Sequence, residues 1–576
     1  MASFTLLHFY CMRIKTAFFI FFILCGAAAW GQGKDNLLNL MKEEMNREMA
    51  VLKTRDIPAY YIDYRINEVQ SSILQASFGS IVTANDNHVR VFSANVKVGS
   101  YELDNTHHES GMEIQEMPRF ASINVIPVDD DPLVIKKEMW QSTQQAYRGA
   151  MDSYKAIRTA LSSKPKKEKL NDFTKEKPSV YYEDKTAELS ELWNKADWES
   201  KVKKYSRLFS PAADFISAEA TFRMETERKY FVSTEGSEVV QNLTYCYLFI
   251  SGSIRADDGD ILPLTKSYYA TSPTALPTDE IIAQDVNELM RKLRLLKKAP
   301  LAEPYTGPAI LYAQSAGVFF HEIFGHRVEG HRLRSEFDGQ TFKEKINEQV
   351  LPKSLDVIFD PTISKYEGKQ LNGFYQYDDE GIKGQRVKAV EKGILKNFLM
   401  SRTPLENFAT SNGHGRSSIG MNAVSRQSNL IVENSKPVSM DDLRKMLIKE
   451  CIRQNKKYGY FFRNVIGGFT TTDRYNPNAF NIFPTEVYRV YVDGRADELV
   501  RGVDLIGTPL SMFAEITAAG DTKDVFIGFC GAESGSVPVS AVAPSLFVRR
   551  IETQKKPKEN QEPTLLPSPD RKNGSR

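Results

Sequence analysis

Apolar and polar positions alternate along 60–66, 71–83 and 88–101, a period of two that predicts strands with one buried face. The polar stretch Ala84-Asn-Asp-Asn87 reads as a turn between the last two. Ahead of them, Leu37, Leu40, Met41, Met45 and Met49 recur near helical spacing, which predicts a helix over 36–52 with a core-facing stripe. A long helix follows over 133–162, and Lys164-Pro-Lys-Lys-Glu-Lys169 breaks it as a solvated loop. Alternation returns over 220–234 and 241–253, before a basic helix over 278–298.

From there the pattern turns strand-rich. Gly307-Pro-Ala-Ile-Leu-Tyr312 predicts a buried strand, and 387–390 with 394–400 flank Glu391-Lys-Gly393 as a hairpin. Strands over 487–492 and 499–503 flank a second turn at Asp493-Gly494, a helix is expected over 441–455, and a strand over 525–529. The fold class that follows is α+β. An N-terminal α+β domain spans 33–298, and a strand-rich, barrel-like domain spans 299–552. The Pro-, Lys- and Asn-rich tail 553–576 is expected to be disordered.

A chain of 576 residues accommodates about two to four domains. With 41% hydrophobic and 26% charged residues it has the makings of large cores. Lys plus Arg (75) nearly cancels Asp plus Glu (73), so no global field recruits nucleic acid. Residues 1–32 stand apart. Arg13 and Lys15 precede an apolar run over 17–24, and small residues fill 26–29, the layout of a cleaved signal peptide. Met12 would place those charges at the N-terminus. Leu24 fits badly before a lipidated Cys25, and the run is short for a span of about 20 residues. Export to a periplasmic or other extracytoplasmic space is therefore expected, with membrane association if the leader is retained. Cys246, Cys451 and Cys530 remain in the mature chain; three thiols cannot all pair, which argues against a disulfide framework.

The candidate chemistry lies in His321-Glu-Ile-Phe-Gly-His326, with His331 close behind, in a chain of eight histidines. In the ordinary H-E-x-x-H motif a four-residue step puts both imidazoles on one helix face, with the Glu beside the reacting water. Here the step is five, which on an ideal helix turns His326 about 140° away from His321. A π-bulge, eased by Gly325, would bring the rings together. Ser315 is a candidate N-cap, and Val318, Phe319, Ile323 and Phe324 bury the helix. A Glu in such surroundings needs a partner, and a divalent cation supplies one. A catalytic metal wants a third protein ligand, and spacing leaves Cys530, His331, Glu329 and Asp378 all open. His107-His108 face opposite ways on a strand and read as surface histidines. Asp378-Asp-Glu380 reads as a solvated turn or a support for the site or the fold. Gly467-Gly468 is either a bulge or a place where an extended peptide joins a strand edge.

The stretch Gly307 to Arg334 and the runs Tyr377-Asp-Asp-Glu-Gly-Ile-Lys-Gly384, Glu391-Lys-Gly-Ile-Leu-Lys396, Gly413-His-Gly-Arg-Ser417, Val465-Ile-Gly-Gly-Phe469 and Phe529-Cys-Gly-Ala-Glu-Ser-Gly-Ser-Val-Pro-Val539 together resemble the TldD/PmbA family of metallopeptidases, on its TldD side. The resemblance implies a zinc ion held by His321, His326 and Cys530, with Glu322 as general base. It implies hydrolysis of small or unfolded peptides inside a dimer, either a homodimer or a pair with a PmbA-like subunit lacking the zinc motif. Two features depart from the family: the leader, and His331 where an acidic residue is expected. The expected function is thus an exported zinc metallopeptidase. A scaffold or peptide-binding subunit with a structural metal is the alternative, and an amidase or esterase acting on envelope material is a third.

Overall fold

The computed structural model describes residues 35–107, 122–163, 169–210, 214–335, 337–475 and 479–557. The expected leader (1–32), His108 and the tail beyond 557 lie outside the described residues; residues 553–555, expected to be disordered, instead end the paired strand Gly535–Lys555. Among those described, no helix is long and apolar enough to cross a membrane.

The first half builds a seven-stranded sheet in the order 122–126, 80–98, 59–77, 215–233, 238–255 and 180–182, with 261–270 also on 238–255. The run expected over 71–83 is split: residues 71–77 continue 60–66 in one long strand, Ala59–Ser77, the chain reverses at Phe78-Gly79, and residues 80–83 open the next strand, Ser80–Val98. Both turn residues have positive φ (46° and 88°), the geometry that lets a two-residue loop follow the twist of its strands. The turn expected at 84–87 is therefore corrected: Ala84 to Asn87 pair with Leu74 to Ser71 inside the hairpin. They are polar because that stretch faces solvent, and Asp86 accepts from Ser72 Oγ at 2.6 Å. Helices Asn36–Leu52 and Pro132–Ser163 cover one end of a sheet face over Ile62, Tyr64, Ile66 and Phe92. Helices Lys195–Arg207 and Asp279–Lys298 cover the other end over Leu74, Phe222 and Leu248.

The opposite face of the same strands is also buried, but it is polar. Tyr61, Asp63, Arg65 and Asn67 are each less than a tenth exposed because the second half of the chain lies on them. Arg65 donates to Ser417 Oγ and to the Met421 carbonyl, Gln241 donates to the Tyr377 carbonyl, and the Tyr247 hydroxyl donates to Asn372. The acidic run 378–380 belongs to this seam, which corrects the solvated-turn reading. Asp378 accepts from the backbone N–H groups of Glu380, Ile382 and Gly415, Asp379 pairs with Lys229, and Glu380 accepts from the Arg402 N–H at 2.7 Å. His107 is corrected as well. It is 2% exposed, with Nδ1 2.7 Å from Asp172; Asp172 also accepts from Arg334, just beyond the histidine-rich segment.

The second half forms an eleven-stranded sheet. Tyr305–Leu311 pairs with Tyr458–Thr470, that strand with Phe480–Tyr491, that with Val503–Gly507, and that with the 21-residue strand Gly535–Lys555. Gly535–Lys555 then returns to Tyr305–Leu311, so the hydrogen-bonded pairings run in a closed circuit. Both expected hairpins form, at Lys392-Gly393 and around Gly494, although the second arm of the former is only Ile394–Leu395. The helix Met440–Arg453 begins at Ser439, whose side chain accepts from the Asp442 N–H. Cys246 and Cys451 are buried free thiols.

The buried seam makes a prediction about pH. Burial raises the Glu380 carboxyl to about 7, and Arg402 opposes it without cancelling it. Asp378 beside it is raised in the same direction, by burial first and Glu380 second. Between the ordinary value of 4.5 and about 7 the folded chain keeps a proton that the unfolded chain has released. The resulting stabilisation is complete below that window and is lost as pH rises through it. Glu380→Gln, a neutral isostere of the protonated acid, is expected to flatten this decline by about 1–3 kcal/mol, read from urea unfolding from acid to mildly alkaline pH. An unchanged slope would refute the assignment.

Candidate metal centre

The site is built on a helix that starts where a strand stops. Tyr305–Leu311 ends with the Tyr312 N–H bonded to the Phe462 carbonyl, and helix Ala313–Ile323 begins at once, capped by Tyr312 without a side-chain bond. Ser315 is accordingly not the N-cap; it lies inside the helix, 2% exposed. Of the helix residues only Gln314 escapes full burial, because the helix packs against the strands of the closed circuit, with Phe319 and Phe320 against Phe480 and Phe513.

His321 and Glu322 occupy the last turn. The five-residue step to His326 is not absorbed by a π-bulge, which corrects that expectation. The helix ends at Ile323, with Phe324 as its cap, and a 3₁₀ turn over Gly325–Arg327 carries His326. Ending the helix costs fewer buried backbone groups here, since the Arg327 and Val328 N–H groups find Phe324 and Gly325 carbonyls. Gly325 is needed for space. A Cβ there would come within 1.9 Å of the Gln427 side chain.

The two rings meet with centroids 5.0 Å apart and planes at 87°. Cys530 reaches them from the far end of strand Ile516–Ala532, its Sγ 3.2 Å from His321 Nε2 and 3.4 Å from His326 Nε2. The three donor atoms lie within 4.8 Å of one another. Ligands on one tetrahedral ion of this N/S type stand roughly 3.3–3.6 Å apart, so the donor set fits a single divalent cation. The electrostatics fit as well. Burial alone would raise the Cys530 thiol, but the facing imidazoles outweigh it and hold it well below its ordinary value. Burial opposes protonation of His326, yet the Cys530 sulfur and Glu329 raise it. A thiolate 3% exposed demands positive charge nearby.

Glu322, 6% exposed, sits beside this group, its carboxyl raised chiefly by burial. Strand Tyr458–Thr470 crosses it so closely that a Cβ at Gly468 would meet Glu322 Cγ at 3.0 Å and the Asn481 carbonyl at 2.9 Å. The register of that strand shifts between Phe462 and Gly467, so the glycine pair follows a bulge and also permits a close approach. Arg327 fastens the two elements, donating to the Glu322 carbonyl at 2.6 Å and to Thr470 Oγ1 at 2.7 Å.

The other residues weighed as a third ligand stand elsewhere. Asp378 lies in the seam described above. His331 pairs with Glu533. Glu329 stands behind His326, its Oε2 accepting from His326 Nδ1 at 3.1 Å and from Arg332 Nε at 2.8 Å. Burial pushes Glu329 up, but His326 and Arg332 outweigh it and hold it at about 2. Two residues escaped the sequence reading. Arg426 donates to the Cys530 carbonyl and, at 2.8 Å, to Ser534 Oγ. Gln427 Nε2 lies 3.4 Å from His321 Nε2. Both belong to 425–429, a run of polar residues each 0% exposed, and hydropathy reads such a run as a loop.

Residues 304–555 match the PmbA/TldA metallopeptidase C-terminal domain. A metalloprotease of Methanothermobacter thermautotrophicus is 29% identical over 328 residues, 55% of this chain and 65% of the relative. The chain thus spans just under two thirds of that relative. A zinc metalloprotease TldD homolog of Saccharolobus solfataricus is 24% identical over 334 residues, 57% of this chain and 69% of that protein. Among solved structures, TldE from Thermococcus kodakarensis shares the fold at a TM-score of 0.57 and 13% identity, over 89% of this chain and 100% of its own.

The packing of Gln427 on Gly325 yields a test independent of any ligand. Gly325→Ala is expected to cost about 1–3 kcal/mol through overpacking. Gln427→Ala should cost less in that background than in the wild type, because the crowding partner is already displaced. Urea unfolding of the four proteins measures the coupling, and strict additivity would contradict the contact.

Proposed function

We propose, from the match of residues 304–555 to the PmbA/TldA metallopeptidase C-terminal domain, that the chain is a zinc metallopeptidase acting on small or unfolded peptides. The observation that carries this reading is the convergence of His321 Nε2, His326 Nε2 and Cys530 Sγ beside the buried carboxyl of Glu322. Two imidazoles and a thiolate suit zinc by ligand softness and leave a position open for chemistry. When bound, the ion supplies an acidified water and polarises the scissile carbonyl.

The chain's own groups do the rest. Glu322, its carboxyl raised above the ordinary value by burial, accepts the proton of the attacking water and hands it to the leaving amine. Beyond Phe462, strand Tyr458–Thr470 is paired with Phe480–Tyr491 alone among the described strands. Its other edge can take an extended peptide as an added strand, which reads backbone rather than sequence. The leader pattern of residues 13–29 supports export. The partner we assign is a second copy or a PmbA-like subunit, a reading supported by the family and by the TldE neighbour.

The test pairs metal content with hydrolysis of an unstructured peptide. Wild type and Glu322→Gln should each hold about one zinc per chain, and the variant should cleave about 10²–10⁴-fold more slowly. His326→Ala and Cys530→Ala should each lose the metal. Wild-type zinc content in both of those would sink the ligand assignment, and zinc without cleavage in the wild type, with and without a PmbA-like subunit, would favour the scaffold.

A further inference from the structure

The carboxylate behind His326 has no part in the reaction described above, yet it is among the most enclosed charged groups in the chain. Glu329 is 0% exposed. Its backbone is pinned on both sides: Leu399 N–H bonds the Val328 carbonyl, and Gly330 N–H bonds the Leu399 carbonyl. A carboxylate can only accept, so the 3.1 Å contact with His326 Nδ1 requires that nitrogen to carry the proton. The other ring nitrogen, Nε2, is the one that faces Cys530. The two nitrogens of one ring are thereby given separate tasks.

We infer that Glu329 is a positioning residue for the metal site, fixing the tautomer and ring orientation of His326 and tying together the turn and the strand end that carry ligands. The second half of that inference rests on two arginines. Arg332 bonds Glu329 at 2.8 Å and continues to Glu533 at 2.6 Å, three residues beyond Cys530. Arg426 stands 3.7 Å from the other Glu329 oxygen and donates to the Cys530 carbonyl itself. One carboxylate thus anchors the histidine turn directly and the end of the cysteine strand through both arginines. Carboxylates placed behind a ligating imidazole raise its basicity and set its aim, and their loss typically costs metal affinity.

This inference rests on the zinc reading, and the experiment separates the two. Zinc affinity is measured by chelator competition on the full chain, wild type against Glu329→Gln, alongside urea unfolding of the metal-free forms. The dissociation constant is expected to rise about 10–100-fold in the variant. The visible ligand-field bands of the cobalt-loaded protein should shift, a change that lost stability alone does not produce. If Glu329→Gln fails to fold, Glu329→Asp takes its place; it keeps the charge facing Arg332 and Arg426 but withdraws the acceptor from Nδ1, and the same two changes are expected. A folded variant with wild-type affinity and unshifted bands overturns the inference while leaving the zinc reading intact. A wild type that holds no zinc removes the functional reading, and this inference with it.

Discussion

A thiolate, two imidazoles and several carboxylates and guanidinium groups share one interior, and the structure around them is governed by keeping those charges compensated. A buried ion without partners is costly enough that it neutralises instead. Here each has several. Glu329 is met by His326, Arg332 and Arg426, Glu533 by His331 and Arg332, and Cys530 by both histidines. Glu322, buried beside the same two histidines, has its carboxyl raised by burial. The cation proposed for this group would add positive charge beside the thiolate.

The same demand explains how the two halves join. A sheet with one apolar face usually leaves the other to water, but this one turns Asp63, Arg65, Asn67 and Lys229 onto the second half of the chain. The seam consequently carries paired charges and amide contacts where a core would carry methyl groups. Such contacts are directional, so they fix how the halves meet more sharply than apolar packing does. His107 and Arg334 meet on Asp172, which extends the fixation to the loop immediately after the histidine segment.

Much of this was legible in the chain. Period-two alternation located the long strands, and helices over 36–52 and 279–298 fell where apolar spacing placed them. The segment His321 to His326 announced itself by residue type alone. What stayed hidden was hidden for physical reasons. The hairpin turn at Phe78-Gly79 carries a bulky residue at positive φ, while Ala84 to Asn87 has turn-like composition but is held in a strand by its partner. Helix periodicity assumes that the helix continues, so it could not see the stop at Ile323 that sends His326 into a tighter turn. The buried polar run 425–429 and the acidic run 378–380 look solvated because hydropathy scores a residue without its partners. Glu329, Arg426 and Gln427 acquire meaning only once strands far apart in sequence are paired.

The closed circuit of strands has a temporal side. His321 and His326 are synthesised about 200 residues before Cys530, and the strand that closes the circuit, Gly535–Lys555, follows later still. Contacts of such long range form late in folding, after the loops between them have been closed. A nascent or truncated chain therefore carries His321 and Glu322 in the helix and His326 in the turn after it, but no Cys530 and no closing strand. The donor set is therefore assembled only after the strand that carries Cys530 and its partner Gly535–Lys555 have both been made.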